Sequence, residues 1–543
     1  MELKLVEIRD NQYMSDLYPD GLPSNAIIDK TLTAKGATTC ELDERYAKRN
    51  SIIIEPNVPV IDSKQVKYSN LLGVREGVTD YDVKKYLLDK SIRYKKIIVT
   101  PESYSKVKQA AEYAGVNLFK DFFLLIDECE KVVQDSNFRP AIVQPFFDFF
   151  SFDNKALISA TPLSPKLKGF TKHSFSHIKI VPTYDYKKNL SLIGTNNVQL
   201  EFLKQISLND NKKAIFLNSP DYAKTLIDKA DIRNHSKIYC SNQENAINKL
   251  HEDGYKASDS FVSGEILEQY SFFTSRFYSA VDLDTPDKPD IIMVTDCLSK
   301  AQTMIDPFTH SVQITGRFRS GIGNITHITN WKEDLKPKSR EEIIEDMEAQ
   351  SKVYNMLADL KETLTGRERQ LLTEIQERIP IYKVLFRNND YKGKVNPFLV
   401  ECDIQKSKVE SFYQDLQSLN NAYNETGHFN VSYHYEHYKE KPKAVKAKPL
   451  SRERKLQILE RLQDLKPEGL VLKFLTEEQQ EELRSLRHEA PELCKYYEKF
   501  GMDKIIEIDY DLATMKRQLK SAHKKEICFV PIDEIHSTFI IGR

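Results

Sequence analysis

Two adjacent carboxylates, Asp127 and Glu128, follow directly on the apolar residues 122–126. An apolar run of about five residues between polar ones is typical of a buried strand in a parallel sheet. The pair would then lie at the carboxyl end of that strand, where open α/β sheets bind their ligands. One carboxylate can hold a hydrated Mg²⁺ there, and its neighbour can orient or deprotonate an attacking water. The alternative is a strand that ends in a solvated acidic turn.

A second apolar run follows Lys155 and ends at residues 159–162, Ser-Ala-Thr-Pro. The gap of roughly thirty residues between the two runs suits a strand, a helix and a second strand. Together with the sequence Asp-Glu-Cys-Glu at residues 127–130, this ending resembles motifs II and III of superfamily 2 helicases, the DEAD/DEAH-like group. The resemblance implies a nucleotide site in which Asp127 and Glu128 are catalytic residues and Ser159 and Thr161 are coupling residues.

A site of this kind also needs a phosphate loop, and residues 29–39 follow a short strand candidate at residues 25–28. In phosphate loops, backbone N–H groups at a helix N-terminus cradle phosphates, a lysine contacts the terminal phosphates, and a Ser or Thr hydroxyl reaches Mg²⁺. The usual Gly-x-Gly-Lys-Thr ending corresponds here to residues 34–38, Ala-Lys-Gly-Ala-Thr. Ala37 therefore stands at the lysine position, and Ala34 stands at the first glycine.

The missing positive charge could come from Lys35 or from Lys30. The loop resembles those of helicase-like proteins from phages and mobile elements, in which a lysine before the loop is usual, and this favours Lys30. The alternative is a loop that has lost tight ATP binding. We predict that Mg²⁺ is held by Thr38 and, through water, by Asp127. The predicted ATP-binding residues are Lys30, Ala34, Lys35, Gly36, Ala37, Thr38 and Thr39.

Four further strand candidates end in residues suited to holding a nucleic-acid backbone. Residues 51–57 and 95–102 resemble motifs Ia and Ib, residues 211–219 resemble motif IV, and residues 271–283 resemble motif V with Ala280 in place of its glycine. Neutral side chains and main-chain N–H groups at strand ends position a nucleic-acid strand without reading its sequence. The predicted nucleic-acid contacts are Pro56, Asn57, Thr100, Pro101, Ser219 and Thr274.

Residues 313–319, Gln-Ile-Thr-Gly-Arg-Phe-Arg, resemble motif VI, Gln-x-x-Gly-Arg-x-Arg. Arginines from a second lobe can reach the phosphate charge that develops in the first lobe, and their contribution requires lobe closure. We interpret Arg317 and Arg319 as candidate arginine fingers, and Gln313 as a sensor of the terminal phosphate or of water. An isolated heptapeptide of this kind would be a basic surface turn, but its position after the motif V segment favours the functional interpretation.

The 543 residues are too many for a single core and predict two to four domains. The motif order predicts an α/β fold with two RecA-like parallel-sheet lobes, as in P-loop NTPases, at residues 1–180 and 181–335. The remaining sequence is charged and has mostly helical patterns, which predicts a mostly helical C-terminal extension. We expect a helical extension at 336–438, a basic linker at 439–455 and a small accessory domain at 456–543.

The resemblance implies an ATP-dependent helicase or translocase of superfamily 2, with DNA favoured over RNA. Its likeness to phage, mobile-element and viral origin-binding helicases implies a role in replication alongside replication proteins. The alternative is a non-catalytic nucleic-acid-binding protein on a degenerate helicase fold, because the phosphate-loop lysine is absent. A formal net charge of −1 excludes a global basic field, so nucleic-acid contacts must be local.

The apolar runs of the sequence are too short to span a bilayer. The N-terminus also lacks the apolar region of a secretory signal. We therefore expect a protein of the cytoplasm, in a bacterium or a phage-infected cell, with no membrane partner.

Overall fold

The structure is a computed structural model. The chain divides into two compact units, Met1–Pro442 and Lys443–Arg543, and the first unit contains two large sheets. The described residues are 2–162, 167–242, 245–279, 281, 283–377, 379, 395–440 and 452–465, followed by 479, 482–483, 486–487, 490–511, 514–515 and 517–519.

The first lobe contains an eight-stranded sheet in which every hydrogen-bonded pair of strands is parallel. Its strands are β1 (Glu2–Ile8), β2 (Ala26–Asp29), β3 (Asn50–Ile54), β4 (Leu71–Val74), β5 (Lys96–Val99), β6 (Phe122–Asp127), β7 (Asn154–Ser159) and β8 (Ser176–Pro182). They lie in the order β1-β8-β2-β7-β6-β3-β5-β4. Because β7 lies between β2 and β6, the loops after these three strands meet at one edge of the sheet.

The second lobe contains another eight-stranded parallel sheet. Its strands are β9 (Lys188–Thr195), β10 (Lys213–Phe216), β11 (Ser236–Tyr239), β12 (Lys256–Ser258), β13 (Tyr270–Phe273), β14 (Asp290–Thr295), β15 (Ile325–Thr329) and β16 (Phe429–Glu436). They lie in the order β12-β11-β13-β10-β14-β15-β9-β16. The two sheets with their helices are two RecA-like lobes, which confirms the predicted fold class.

Helices connect the strands and cover both faces of each sheet. In the first lobe they are α1 (Met14–Leu17), α2 (Ala37–Leu42), α3 (Val58–Lys67), α4 (Asp80–Leu88), α5 (Tyr104–Ala114), α6 (Leu118–Asp121), α7 (Glu130–Gln134), α8 (Gln144–Phe149) and α9 (Lys168–Lys172). In the second lobe they are α10 (Val198–Ile206), α11 (Pro220–Ala230), α12 (Ala246–Glu252) and α13 (His310–Thr315). After the last of these come α14 (Arg340–Glu362), α15 (Gly366–Gln376), α16 (Pro397–Phe412) and α17 (Leu416–Glu425).

The continuous apolar runs of the strands follow from burial on both faces. In β6, Leu124 and Ile126 belong to one core cluster of the first lobe, whereas Phe123 and Leu125 belong to the cluster on the opposite face. Successive side chains of a strand point to opposite faces, so a strand covered by helices on both sides needs apolar residues throughout. Truncation of one such buried side chain to alanine costs about 2–5 kcal/mol.

The segment predicted as a helical extension, residues 336–438, also contains a strand. β16 pairs in parallel with β9 and becomes the edge strand of the second sheet. Most of its residues are exposed or half-buried, so it lacks the apolar run that marks the central strands. Its pairing depends on a partner more than two hundred residues earlier in the chain, which local sequence patterns do not reveal.

The second compact unit contains the helices Arg452–Leu465 and Pro491–Glu507 and its own apolar core. Residues 441–451 of the predicted basic linker lie outside the described residues, and residues 452–455 begin the first of these helices. Much of the predicted accessory domain likewise lies outside the described residues. Among the described residues, no helix is both long enough and apolar enough to cross a bilayer.

Candidate active site

The predicted phosphate loop connects β2 to α2. Three of its residues, Thr31, Ala34 and Gly36, have positive φ angles of 58°, 61° and 76°. Left-handed residues turn backbone N–H groups toward one concave side, and such concavities bind anions. Gly36 stands directly before α2, where glycine adopts this conformation at little cost. Ala37, at the usual lysine position, is buried in the apolar core of the lobe, so its side chain supports the loop from below.

The two candidate lysines of the loop have different surroundings. Lys30 Nζ lies 3.6 Å from Asp127 Oδ1 and 3.6 Å from Glu128 Oε1. Lys35 Nζ instead donates to the backbone carbonyl of Asp10 at 3.0 Å and lies 5.2 Å from the centroid of the Tyr184 ring. The structure therefore brings Lys30 to the acidic pair and directs Lys35 away from it.

The acidic pair lies at the end of β6, beside the start of α2. Thr38 Oγ1 donates to Asp127 Oδ2 at 2.7 Å, and the Glu128 N–H donates to Asp127 Oδ1 at 3.0 Å. Glu128 has a positive φ of 45°, which is uncommon for a residue with a side chain. Strained backbone of this kind concentrates at functional sites.

The second lobe contributes Gln313 from α13 and Arg317 from the loop after it. Gln313 Nε2 donates to Glu128 Oε2 at 3.0 Å and to Thr161 Oγ1 at 3.2 Å. Arg317 Nε donates to the Gln313 carbonyl oxygen at 3.0 Å, and its Nη2 donates to the Gln313 side-chain oxygen. Arg317 is only 4% exposed and lines the same cleft as the acidic pair.

A close approach of the Thr33 side chain explains the glycine at position 316. Thr33 Oγ1, in the phosphate loop, donates to the carbonyl oxygen of Gly316 at 3.2 Å. A Cβ added to Gly316 would clash with the Thr33 side chain. A side chain at position 316 would therefore displace Thr33 of the first lobe and disturb this contact between the lobes.

Opposite charges favour the ionised forms of Glu128 and Lys30, although both side chains are buried. Burial opposes ionisation of Glu128, but the charges of Lys30 and Arg317 outweigh burial and lower the pKa of Glu128 to about 2. Burial also opposes the charge of Lys30, yet the carboxylates of Glu128 and Asp127 outweigh it and raise the pKa of Lys30 above its ordinary value. Glu128 and Lys30 are therefore held in their charged forms at neutral pH.

Two further carboxyl groups at this site received no role from the sequence. Burial, and then the charge of Glu128, raises the pKa of Glu130 well above its usual range. Glu55 also lines the cleft. Burial raises the pKa of Glu55 well above its usual range, and the charges of Asp127 and Glu128 raise it further. Both groups favour the neutral form. Glu130 stood inside the motif II segment, but Glu55 had no signal beyond its position at the end of a strand.

The two predicted coupling residues lie between the acidic pair and α13. Ser159 Oγ donates to Glu128 Oε2 at 3.4 Å and accepts the Thr161 N–H at 3.0 Å. Thr161 Oγ1 in turn accepts a hydrogen bond from Gln313. The end of β7 is thus bonded to catalytic candidates of both lobes.

The candidate residues line a cleft of about 710 Å³ between the lobes. Residues of the phosphate loop and the acidic pair form one wall, and Phe261, Ser263, Asp284, Arg317 and Arg319 belong to the other lobe. All the predicted ATP-binding residues lie on the lining: Lys30, Ala34, Lys35, Gly36, Ala37, Thr38 and Thr39. The half-exposed ring of Tyr13, which the sequence did not single out, also lines the cleft and packs near Gly36.

The predicted nucleic-acid contacts all follow the carboxyl ends of parallel strands, but most of their side chains are buried. Thr100, Ser219 and Thr274 are 4%, 5% and 6% exposed. Ser219 Oγ accepts the Tyr222 N–H as a helix cap, and Thr274 Oγ1 donates to the Tyr239 carbonyl oxygen.

The remaining three of these contacts lie in the first lobe. Pro56 and Pro101 are also buried, whereas Asn57 is half-buried at the start of α3. A nucleic acid on this surface would therefore meet backbone groups and Asn57 more than hydroxyl side chains. Ala280 and Asp282 of the motif V segment lie outside the described residues.

The donor set at Thr38 and Asp127 fits Mg²⁺. It consists of a hydroxyl and a carboxylate oxygen 2.7 Å apart, and Mg²⁺ prefers hard oxygen ligands. Within the described part of the chain, no group of three or more His, Cys, Asp or Glu side chains could hold a metal ion. A Mg²⁺ ion at this site would thus take further ligands from phosphate and water, as is usual for this ion.

Comparisons with known proteins give weak structural likenesses. No protein-family model and no curated protein matches the chain. S. cerevisiae Dbp5 bound to RNA and ADP BeF3 is 14% identical, with a TM-score of 0.36 over 58% of this chain and 81% of that chain. A DEAD box protein from Methanococcus jannaschii is 12% identical, with a TM-score of 0.31 over 56% and 82% of the two chains. RecG bound to a three-way DNA junction is 13% identical, with a TM-score of 0.33 over 72% and 48%. The fold class follows from the strand order and not from these likenesses.

Proposed function

We propose that this chain is an ATP-dependent nucleic-acid helicase or translocase that acts on DNA. One observation carries the proposal: the second lobe presents Gln313 and Arg317 to the cleft that contains the acidic pair of the first lobe. Gln313 reaches Glu128 at 3.0 Å, so no further movement is needed to bring the two sets of groups together. The first lobe supplies carboxylates and the second lobe supplies a guanidinium, which is the arrangement that phosphoryl transfer requires.

In this proposal each charged side chain has one task. Glu128, held as a carboxylate, orients and polarises the attacking water. Lys30 supplies the charge that Ala37 cannot, because its ammonium lies beside Asp127 and Glu128. Arg317 and Arg319 stabilise charge on the transferring phosphoryl group. Bound Mg²⁺, held by Thr38 and through water by Asp127, would neutralise phosphate charge.

Hydrolysis is coupled to movement through the contacts between the lobes. Ser159 and Thr161 connect Glu128 to Gln313, so loss of the terminal phosphate alters a hydrogen-bonded group shared by both lobes. Opening of the cleft then changes the distance between the strand ends of the two sheets, where the nucleic acid is held. DNA is favoured over RNA, with a role in replication, on the resemblance of the motif set to phage and viral origin-binding helicases.

A degenerate, non-catalytic helicase fold remains the second candidate function, because Ala37 replaces the phosphate-loop lysine. The position of Lys30 argues against it. Lys30, Asp127 and Glu128 are all buried, and burial of charged groups costs free energy unless they are compensated. A site without a function would not be expected to keep three such groups together. ATP turnover separates the two candidates.

The experiment that tests the proposal is Mg²⁺-dependent ATP hydrolysis measured with single-stranded DNA, duplex DNA and RNA. We expect stimulation by nucleic acid, and more by DNA than by RNA. Absence of hydrolysis under all conditions, with nucleic-acid binding retained, would instead support the non-catalytic alternative.

A further inference from the structure

The helix α16 (Pro397–Phe412) is anchored at its start in the first lobe. Phe398 is 1% exposed and belongs to the apolar core under the first sheet, with its ring centroid 4.7 Å from that of Phe146. Ser136 Oγ donates to the Phe398 carbonyl oxygen at 3.3 Å. The start of α16 is thus fixed by both apolar packing and a buried hydrogen bond.

The other end of α16 is anchored in the second lobe. Tyr413, which directly follows the helix, is fully buried in the core of the second sheet. Its hydroxyl accepts the Ile305 N–H at 2.9 Å and donates to the Ile305 carbonyl oxygen at 2.8 Å. The chain then continues as α17 and β16, whose Tyr423 and Phe429 belong to the same core. The helix therefore joins the cores of the two lobes.

Between its ends, α16 reaches the segment that leads into α13. Gln405 Nε2 donates to Asp306 Oδ2 at 2.7 Å, and Thr309 Oγ1 donates to the same oxygen at 2.6 Å. Gln134 Nε2, at the end of α7 in the first lobe, donates to Thr309 Oγ1 at 3.0 Å. Because α13 contains Gln313 and α7 begins two residues after Glu128, this chain of hydrogen bonds runs from the helix to both halves of the cleft.

We propose that α16 is a brace that holds α13 and Arg317 of the second lobe against the acidic pair of the first lobe. Phe398 and Gln405 are the positioning residues of this brace. A helix of sixteen residues is a rigid element about 24 Å long, so it cannot stretch when the lobes separate. Wide opening must either withdraw Phe398 from its core or break the bonds at Gln405. The closed arrangement is therefore favoured before any ligand binds.

The brace has a consequence for catalysis that rests on the proposed function. In a two-lobe enzyme without such a brace, the bound nucleotide and nucleic acid must supply all the free energy that closes the lobes. Here the brace supplies part of it. The enzyme should thus hydrolyse ATP appreciably without nucleic acid, and loosening the brace should make hydrolysis more dependent on nucleic acid.

The geometric part is tested by the distance between the lobes in solution. Fluorophores are attached at Tyr113→Cys in the first lobe and Leu208→Cys in the second, which are 64% and 63% exposed, in a full chain with Cys528→Ser. We expect one narrow distance distribution without nucleotide, and a broader one in Phe398→Ala and in Gln405→Ala. Lys406→Ala, an exposed position on the same helix, is the matched control and should stay narrow.

Gln405→Ala keeps the test decisive if Phe398→Ala does not fold, because Gln405 contributes a hydrogen bond and no core volume. Phe398→Leu should restore most of the narrow distribution, since it refills the core. Narrow distributions in both Phe398→Ala and Gln405→Ala would overturn the brace.

The catalytic part is tested by ATP hydrolysis of the same variants. We expect the rate without nucleic acid to fall several-fold in Gln405→Ala, with little change in the KM for ATP, and saturating DNA to restore it. An unchanged rate without DNA would overturn the positioning role. If the wild-type chain hydrolyses no ATP, the proposed function fails while the distance measurement still decides whether α16 braces the lobes.

Discussion

The side-chain amide of Gln313 donates to Glu128 Oε2 at 3.0 Å across the cleft between the lobes. The two residues belong to different lobes, and 185 positions of sequence separate them. The same amide also donates to Glu130 Oε1 at 3.1 Å. One side chain therefore contacts both Glu128, which favours the ionised form, and Glu130, which favours the neutral form.

Replacement of Glu128 by Gln should abolish turnover while ATP binding persists. The amide keeps an oxygen for the Gln313 bond but removes the carboxylate that polarises water, and loss of such a group costs about 10²–10⁴-fold in rate. Phosphate release measures turnover, and equilibrium titration with a fluorescent ATP analogue measures binding. Glu112→Gln, an exposed carboxylate on α5, is the control and should keep full activity. Full activity in Glu128→Gln would contradict the mechanism.

Replacement of Arg317 by Ala should lower kcat by about 10³-fold or more, since an arginine that stabilises the transition state contributes that much. Arg317→Lys should recover little of this, because the guanidinium makes two directed bonds to Gln313 that an ammonium cannot reproduce. Single-turnover and steady-state ATPase rates measure the effect. A loss confined to KM would show instead that Arg317 acts in ground-state binding.

The two lysines of the phosphate loop should respond differently to substitution. Lys30→Ala should weaken ATP binding by about tenfold or more, because charge-assisted hydrogen bonds contribute about 1.5–3 kcal/mol. Lys35→Ala should change the affinity little, since its ammonium bonds to the Asp10 carbonyl instead of the acidic pair. Isothermal titration with ATP and Mg²⁺ gives both affinities. Equal losses in the two variants would refute Lys30 as the substitute for the absent lysine.

The stability of the protein should depend on pH through Glu130 in a direction opposite to that of most carboxylates. Its folded-state pKa is raised, so folding takes up a proton, and the stability that Glu130 contributes is lost as pH rises above its ordinary pKa. Glu130→Gln removes this requirement. The thermal midpoint of Glu130→Gln relative to wild type should therefore increase from pH 5 to pH 8.

Glu112→Gln, at an exposed position on α5, is the matched control for that measurement. Glu128→Gln cannot serve, because the charge of Glu128 helps to raise the pKa of Glu130. The difference in thermal midpoint between Glu112→Gln and wild type should be constant between pH 5 and pH 8. A constant difference for Glu130→Gln as well would show that Glu130 is ionised in the folded protein.

The residues of the site that the sequence could indicate are those in short motifs. Asp127, Thr38, Ser159 and Gln313 each stand in a local pattern with a physical meaning, and the structure brings them to one cleft. Glu55 also follows an apolar run, but nothing local indicates its role, because its importance depends on β3 lying beside β6 in the sheet. The resemblance favoured Lys30 over Lys35 as the substitute lysine, but the direction in which each side chain points depends on the tertiary structure.

The chain beyond residue 335 shows where sequence patterns stop being informative. Helical periodicity indicated helices there, and α14 to α17 are present. It gave no sign that β16 completes the second sheet, or that α16 joins the cores of both lobes. An edge strand buries only part of its surface, so its composition resembles that of a polar loop.

The sequence by itself determined the fold class and the order of the chemical groups, because burial on both faces of a parallel sheet demands apolar runs and leaves the reactive residues at their ends. Only the tertiary structure decided which lysine faces the carboxylates, which carboxyl groups hold protons, and that Gln313 and Arg317 line the cleft. Those outcomes depend on distances between residues far apart in the chain. Electrostatic interactions and hydrogen bonds act over a few ångströms of space, and a linear sequence does not specify that separation.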